Sequence, residues 1–307
     1  MSLLLTGAVG LAEVTPPRIL EVGARVVGSA VAARGGEGID YLRAHLSRLL
    51  GRPASAGEVR EAMTSYMRYF AQACSLGGVS ANEIDARVEV RGRIDAVRAG
   101  LQAGPVVVAL THSANWDLAG AWAARHGADV VTVAERIEPP ELFDMFMRVR
   151  RGVGMEIISA TPGQRIFDDL VARVRGRSCL VALLADRDIT GRGVEVDLAG
   201  GRALVAAGPA ALAARLNAPL IPVDVRERRL SGAARSLARA SWGITLEFAD
   251  PVAVTDVAAT TQRWVDAVSE RLRQHPTSWH MLQPLFIDEL DPERLARSRA
   301  RLAKEDA

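Results

Sequence analysis

The segment Gly104-Pro-Val-Val-Val-Ala-Leu110 constrains the fold more than any other stretch of the chain. It is an unbroken, β-branched apolar run bounded by turn residues. A strand of this kind has no face to offer water, so it belongs inside a parallel sheet covered on both sides. Cys179 to Ala185 repeats the pattern. Further strands are expected at 88–93, 128–134, 155–159, 220–225 and 244–248. Between them, helical periodicity covers 115–125, 140–151, 163–175, 208–216 and 255–274, with a shorter helix ending at Gly100. Strands alternating with helices of ten to fifteen residues predict an α/β fold with a mostly parallel central sheet flanked by helices.

A helical N-terminal segment precedes this core. Pro16-Pro17 opens a first helix, where missing N–H groups cost little. Ile19, Leu20, Val22, Val26, Val27 and Ala30 then recur at helical spacing until Gly35-Gly36. Helices are also predicted over 39–50 and 56–73, the last carrying Met63, Tyr66, Met67, Tyr69 and Phe70. Residues 16–75 are expected to pack as core, to line a tunnel or to face a membrane surface. Residues 85–290 are expected to form the catalytic α/β core, and no linker divides the two, so the chain reads as one domain over 1–307.

Composition removes several classes of function. Hydrophobic residues make up 49% and charged residues 24%, a globular profile that excludes disorder and coiled coil. The net charge of +2 is too small to argue for nucleic acid, and Lys304 is the only lysine. Cys74 and Cys179 provide neither a disulfide framework nor a zinc site. No metal is expected. The apolar start Met1–Ala12 lacks the basic leader of a signal peptide and falls short of the ~20 residues needed to cross a bilayer. A soluble or peripheral protein is expected.

Ligands of open α/β sheets gather at the carboxyl ends of the strands. Two strand ends here carry ionisable groups. One runs into Thr111-His112-Ser113-Ala114-Asn115-Trp116-Asp117, the other into Asp186-Arg187-Asp188. An imidazole beside a carboxylate is the minimum equipment of a general base. Either Asp117 or Asp186 can orient His112, and spacing does not choose between them. There is no serine elbow, no P-loop and no dinucleotide-binding glycine motif. His45, His126 and His275 lie near helix ends without acidic neighbours at useful spacing, and are expected to be structural or solvent-facing. Glu195 and Asp197 alternate with Val194 and Val196 as the solvent face of a β-ribbon.

The run His112-Ser-Ala-Asn-Trp-Asp117 resembles the H-x-x-x-x-D signature of glycerolipid-type acyltransferases, and Trp116 resembles its lipid A lauroyl acyltransferase branch. Thr132-Val-Ala-Glu-Arg136, Leu184-Ala-Asp-Arg-Asp-Ile-Thr190, Gly193-Val-Glu-Val-Asp197, Ala207-Gly-Pro-Ala210 and Trp279-His-Met-Leu-Gln-Pro284 are similar, in order and spacing, to the mycobacterial-type phosphatidylinositol mannoside acyltransferases. The likeness spans roughly residues 85–290.

The resemblance implies transfer of a palmitoyl-type chain from acyl-CoA, as co-substrate without further cofactor, to the 6-hydroxyl of a mannose on phosphatidylinositol mannosides. It implies a peripheral enzyme on the cytoplasmic face of the plasma membrane, touching an anionic membrane surface; a monomer is expected. His112 would be the base. Asp186 stands where those enzymes carry a glutamate, and Asp117 would hold the acceptor sugar. Glu135 and Arg150 match positions lining the acceptor groove, His280 a histidine beside it, and Arg187 is a further substrate-binding position. Two departures, Leu198-Ala199-Gly200 for Phe-Phe-Gly and Val205-Ala206 for Met-Pro, remove bulk beside the expected groove. Alternatives are a different glycolipid or lysophospholipid acceptor, or a lipid-binding or thioesterase protein using the same tunnel.

Overall fold

A computed structural model of the chain describes residues 15–300, apart from 137, 161–165, 190–191, 294 and 297–298. The apolar start, the beginning of the helix expected from Gly163, Thr190 and Lys304 lie outside the described residues. The three N-terminal helices form close to where periodicity put them. α1 (Pro17–Arg34) has proline in its first turn and stops at Gly35, whose φ of 74° suits glycine. α2 (Glu37–Leu50) ends on Gly51 in the left-handed region. α3 (Ala56–Ser75) starts on a capping box between Ser55 and Glu58.

Then α4 (Ala81–Arg87) leads into β1 (Val88–Gly92), α5 (Ile94–Ala103), β2 (Val106–Leu110), α6 (Trp116–Arg125), β3 (Val130–Glu135), α7 (Pro140–Gly152), β4 (Met155–Ala160), α8 (Ile166–Val174) and β5 (Leu180–Leu184). A hairpin of β6 (Val194–Leu198) and β7 (Gly201–Val205) follows, then α9 (Gly208–Leu216), β8 (Leu220–Arg229), α10 (Gly232–Ala238), β9 (Trp242–Phe248) and α11 (Val257–Gln274).

The main sheet has seven strands in the order β1-β9-β8-β2-β5-β3-β4. β2, β3, β4, β5 and β8 run parallel to one another. β9 reverses against β8 and takes β1 with it. β2 sits mid-sheet and is buried throughout, as its composition demanded. Val107 and Ala109 face the core under α8, α9 and α11, whereas Val106, Val108 and Leu110 face the core under α5, α6 and α7. Each buried Val or Leu contributes about 1.5–3 kcal/mol.

Three departures from the sequence pattern have physical causes. β8 continues to Arg229 because its charged end pairs with β9, from Val225 opposite Leu246 to Arg229 opposite Trp242. Hydropathy could not mark that extension. α4 and α10 are seven residues each, too short to display an apolar period, and they pack on one another. The β6–β7 hairpin buries Val194, Val196 and Leu198 and turns Glu195 and Asp197 outward, as expected. Its Leu198-Ala199-Gly200 turn, however, packs on α11, where the Ala199 N–H donates to Ser269 Oγ at 3.3 Å. It is therefore not beside the groove, which corrects the expectation for that departure.

The N-terminal helices keep a small core of their own around Leu42, Leu46, Val59 and Met63. α3 also packs on α7 through Tyr69, Phe70 and Phe146. α1 leaves Ile19, Val22, Val26 and Val27 exposed. Among the described residues, no helix is long and apolar enough to cross a membrane.

α1 is seated by Gly28, where a Cβ would come within 2.7 Å of the Thr64 Cα. Overpacking of this kind costs about 1–3 kcal/mol. Gly28→Leu should therefore lower the thermal midpoint by roughly 2–12 °C on the scale of a chain this size. Gly23→Leu, in open space on the same helix, should leave it nearly unchanged; calorimetry of the two variants compares them.

Candidate active site

Parallel pairing aligns the two strand ends that carry ionisable groups. Leu110 of β2 lies opposite Leu184 of β5. The Ala185 N–H donates to the Leu110 carbonyl at 2.9 Å, carrying the register one step further. His112 and Asp186 each stand two residues beyond that last pair, so they meet although 74 positions separate them.

Asp186 grips His112 twice. The His112 ring Nδ1 lies 2.5 Å from Asp186 Oδ1, and the His112 backbone N–H donates to Oδ2 at 2.9 Å. Trp279 Nε1 donates to the same Oδ2 at 2.7 Å. Burial pushes the Asp186 carboxyl up, but the His112 charge and these donors outweigh it and hold it below its ordinary value. An ionised carboxylate only accepts, so Nδ1 carries a proton, and whenever the ring is neutral the lone pair is on Nε2. Trp116 packs at the His112 ring, centroids 5.5 Å apart and nearly perpendicular. Asp186 is thus the carboxylate that orients His112, and its shorter side chain reaches.

Asp117 is occupied elsewhere. It lies in the first turn of α6, which Asn115 caps by accepting from the Leu118 N–H. Arg150 of α7 grips it with two bonds, Nε to Oδ1 at 2.6 Å and Nη2 to Oδ2 at 3.1 Å. Tyr69 of α3 donates to Oδ2 at 3.1 Å. Burial works against the Arg150 charge, yet Asp117 and Tyr69 outweigh it and raise the guanidinium pKa. Burial, then Asp117, raises the Tyr69 phenol well above its usual value. Removing either partner of so buried a pair would strand the other charge. This cluster joins α3, α6 and α7 and fixes one wall of the site.

His112, Asp117, Glu135, Arg150, Arg187 and His280 all line one cavity of about 1660 Å³, larger than an ordinary small-molecule pocket. Asp186 stands behind His112, 1% exposed. Glu135 and Arg187 form a partly exposed ion pair at 2.9 Å. The cavity runs inward between the sheet and α6, past Val108, Gly120, Val130, Met155 and Leu180. Val130 and Glu135 are the two ends of β3 and both line it, so it is about 17 Å deep by strand rise. Ala206 is on its wall, so that departure does remove bulk there. Among the described residues, no cluster of His, Cys, Asp or Glu could hold a metal ion.

His280 is buried beside Tyr66 and Trp116, its Nε2 2.7 Å from Ser65 Oγ. Its backbone N–H donates to the His112 carbonyl at 2.8 Å. Of the remaining histidines, His126 stacks on Trp122 at a helix end, and its Nε2 lies 3.7 Å from Asp85, an acidic neighbour that spacing does not show. His45 is structural and has a closer acidic partner: Nε2 lies 2.9 Å from Glu289, and Nδ1 lies 2.9 Å from the Met281 carbonyl. The carboxylate is 244 residues away, beyond any spacing argument. Sequence reasoning also missed Tyr69 and Trp279 as members of the site. The run Trp279–Pro284, one of those that carry the family resemblance, is the local signal for the latter.

The chain matches the model of the bacterial lipid A biosynthesis acyltransferases over residues 2–287. It is 33% identical over 285 residues to the phosphatidylinositol mannoside acyltransferase of Mycolicibacterium smegmatis, covering 92% of this chain and 90% of the relative. It is 35% identical over 281 residues to the protein of the same name from Mycobacterium tuberculosis, covering 89% and 85%.

Burial, with Arg68 and His112 adding to it, holds the His280 imidazole at a pKa of about 3, against an ordinary 6.5. Between those values the unfolded chain binds a proton that the folded one refuses. The neutral ring's stabilisation is therefore complete above the ordinary value and is lost as pH falls, at about 1.4 kcal/mol per unit. Asp186, depressed instead, begins to lose its contribution only below about pH 4. His280→Gln should therefore flatten the decline in urea-unfolding free energy between pH 6 and pH 4 by about one proton.

Proposed function

This chain belongs to the bacterial lipid A biosynthesis acyltransferase family, and on that premise we propose that it moves a palmitoyl-type chain from acyl-CoA to the 6-hydroxyl of a mannose on phosphatidylinositol mannosides. The names of the relatives support the acceptor. One observation carries the chemistry: a histidine oriented by a buried carboxylate stands at the rim of a deep, largely apolar cavity.

His112 Nε2 takes the proton of the mannose hydroxyl as its oxygen attacks the thioester carbonyl. Asp186 stabilises the imidazolium that forms. The tetrahedral intermediate then expels the thiolate, which takes the proton back from Nε2, so no covalent acyl-enzyme is needed. The acyl chain lies in the cavity between the sheet and α6, and the Glu135–Arg187 pair faces the acceptor at the rim. Asp117 acts through Arg150 as the anchor of the wall.

The membrane meets α1 and α10. Ile19, Val22, Val26 and Val27 of α1 and Leu237 of α10 are exposed, and Arg18 Nη2 donates to the Arg235 carbonyl at 3.4 Å, bringing the two helices together. Arg18 and Arg25 on α1, and Arg235 and Arg239 on and just after α10, are exposed as well, a combination of side chains suited to an anionic lipid surface on the cytoplasmic side.

Palmitoyl transfer from palmitoyl-coenzyme A is to be measured with and without phosphatidylinositol dimannoside. The expected product depends on the acceptor and falls by about 10²–10⁴-fold in His112→Ala. Fatty acid released equally without acceptor would identify a thioesterase, and product surviving in the variant would remove His112 as base. Separately, co-sedimentation with anionic vesicles should weaken with added salt and fall further in Val22→Asp/Val26→Asp. Binding indifferent to both changes would reject this face as the membrane contact.

A further inference from the structure

Among the described residues, the carboxylate of Asp186 accepts three hydrogen bonds, and two of them come from His112, the residue it orients. Only the third, from the Trp279 indole N–H to Oδ2 at 2.7 Å, ties that carboxylate to another part of the fold. Trp279 is itself 1% exposed and held on every side. It forms an antiparallel bridge with Ser113. Flanking it, the Ala114 N–H donates to the Ser278 carbonyl and the His280 N–H to the His112 carbonyl, each at 2.8 Å. Its ring meets that of His45 at 5.5 Å, and His45 is fixed by Glu289 and the Met281 carbonyl. The loop that carries His112 and the segment that carries Trp279 are thus zipped together, with the indole pointing at the carboxylate between them.

We propose that Trp279 is a positioning residue for acyl transfer, its indole N–H setting both the orientation and the basicity of Asp186 as the partner of His112. The inference rests on the functional reading above for its catalytic consequence, though not for the coupling itself. A donor on Oδ2 withdraws charge from the carboxylate. Without it Asp186 becomes more basic and favours the protonated imidazole, so the acid limb of the rate profile moves to higher pH. Other titratable or charged groups surround His112: the neutral His280 on the C-terminal segment, Arg68 on α3 beyond it, Asp117 with Arg150 on α6 and α7, and Glu135 with Arg187 across the cavity. None of them is altered by removing the indole N–H, and among the described residues only Asp186 hydrogen-bonds to the His112 ring.

Two replacements test this in the full-length chain. Trp279→Phe removes the N–H and part of the ring. Substitution of Trp279 by 3-benzothienylalanine removes the N–H but preserves the bicyclic shape, so it decides the matter should the phenylalanine variant not fold. The His112 ring titration is followed by NMR without substrate, assigned through His112→Gln. Its midpoint should rise by about half to one unit relative to wild type. The acid limb of kcat/KM should move the same way, and kcat should fall about tenfold with little change in KM for the acyl donor. An unchanged His112 midpoint in the isostere, whether or not kcat falls, would reduce Trp279 to packing and overturn the proposal. A wild-type chain that transfers no acyl group would instead overturn the functional reading, while the titration still decides the coupling.

Discussion

The parallel pairing of β2 with β5 is the constraint from which the site follows. A strand such as 106–110 has no polar face, so it must lie mid-sheet with helices on both sides. Parallel neighbours end together, and their connecting loops leave from the same edge. Once Leu110 lies opposite Leu184, equal offsets bring His112 and Asp186 into contact. The same edge receives Glu135 from β3, one strand beyond β5, and it also opens the cavity between the sheet and α6.

A cavity of this depth interrupts the packing that would otherwise hold the helices in place. Much of the bracing around it is polar. Asp117 ties α3, α6 and α7 together through Tyr69 and Arg150. Arg68 on α3 is paired with Glu227 on β8 and lies over the Trp242 ring. His45 ties α2 to the C-terminal segment. Buried ion pairs are weak sources of net stability, because desolvation offsets their attraction. What they do supply is geometry: each is costly to separate, so each fixes the distance between two elements. An apolar contact between the same helices could slide.

Much of the fold could be read in the residues because the relevant forces are local. Pro16-Pro17, Gly35, Gly51 and Ser55 mark the ends of the first helices through backbone geometry and capping. The β-branched runs mark the buried strands. The elements that escaped notice were α4, α10 and the charged end of β8, whose stability comes from partners far along the chain. Of the site, His112 stood out by its place after a buried strand. Trp279 did not, because a tryptophan that donates to a carboxylate 93 residues away looks like any core aromatic.

The sequence by itself determined the class of sheet, the position of His112 at its rim and the two carboxylates within reach, since hydropathy period and strand ends are properties of short segments. Only the tertiary structure decided between those carboxylates. Strand register gave Asp186 to His112, and the approach of α7 gave Asp117 to Arg150. The physical reason is that a hydrogen bond forms within about 3 Å and with one orientation, and such distances between remote residues are set by packing, which no local pattern encodes.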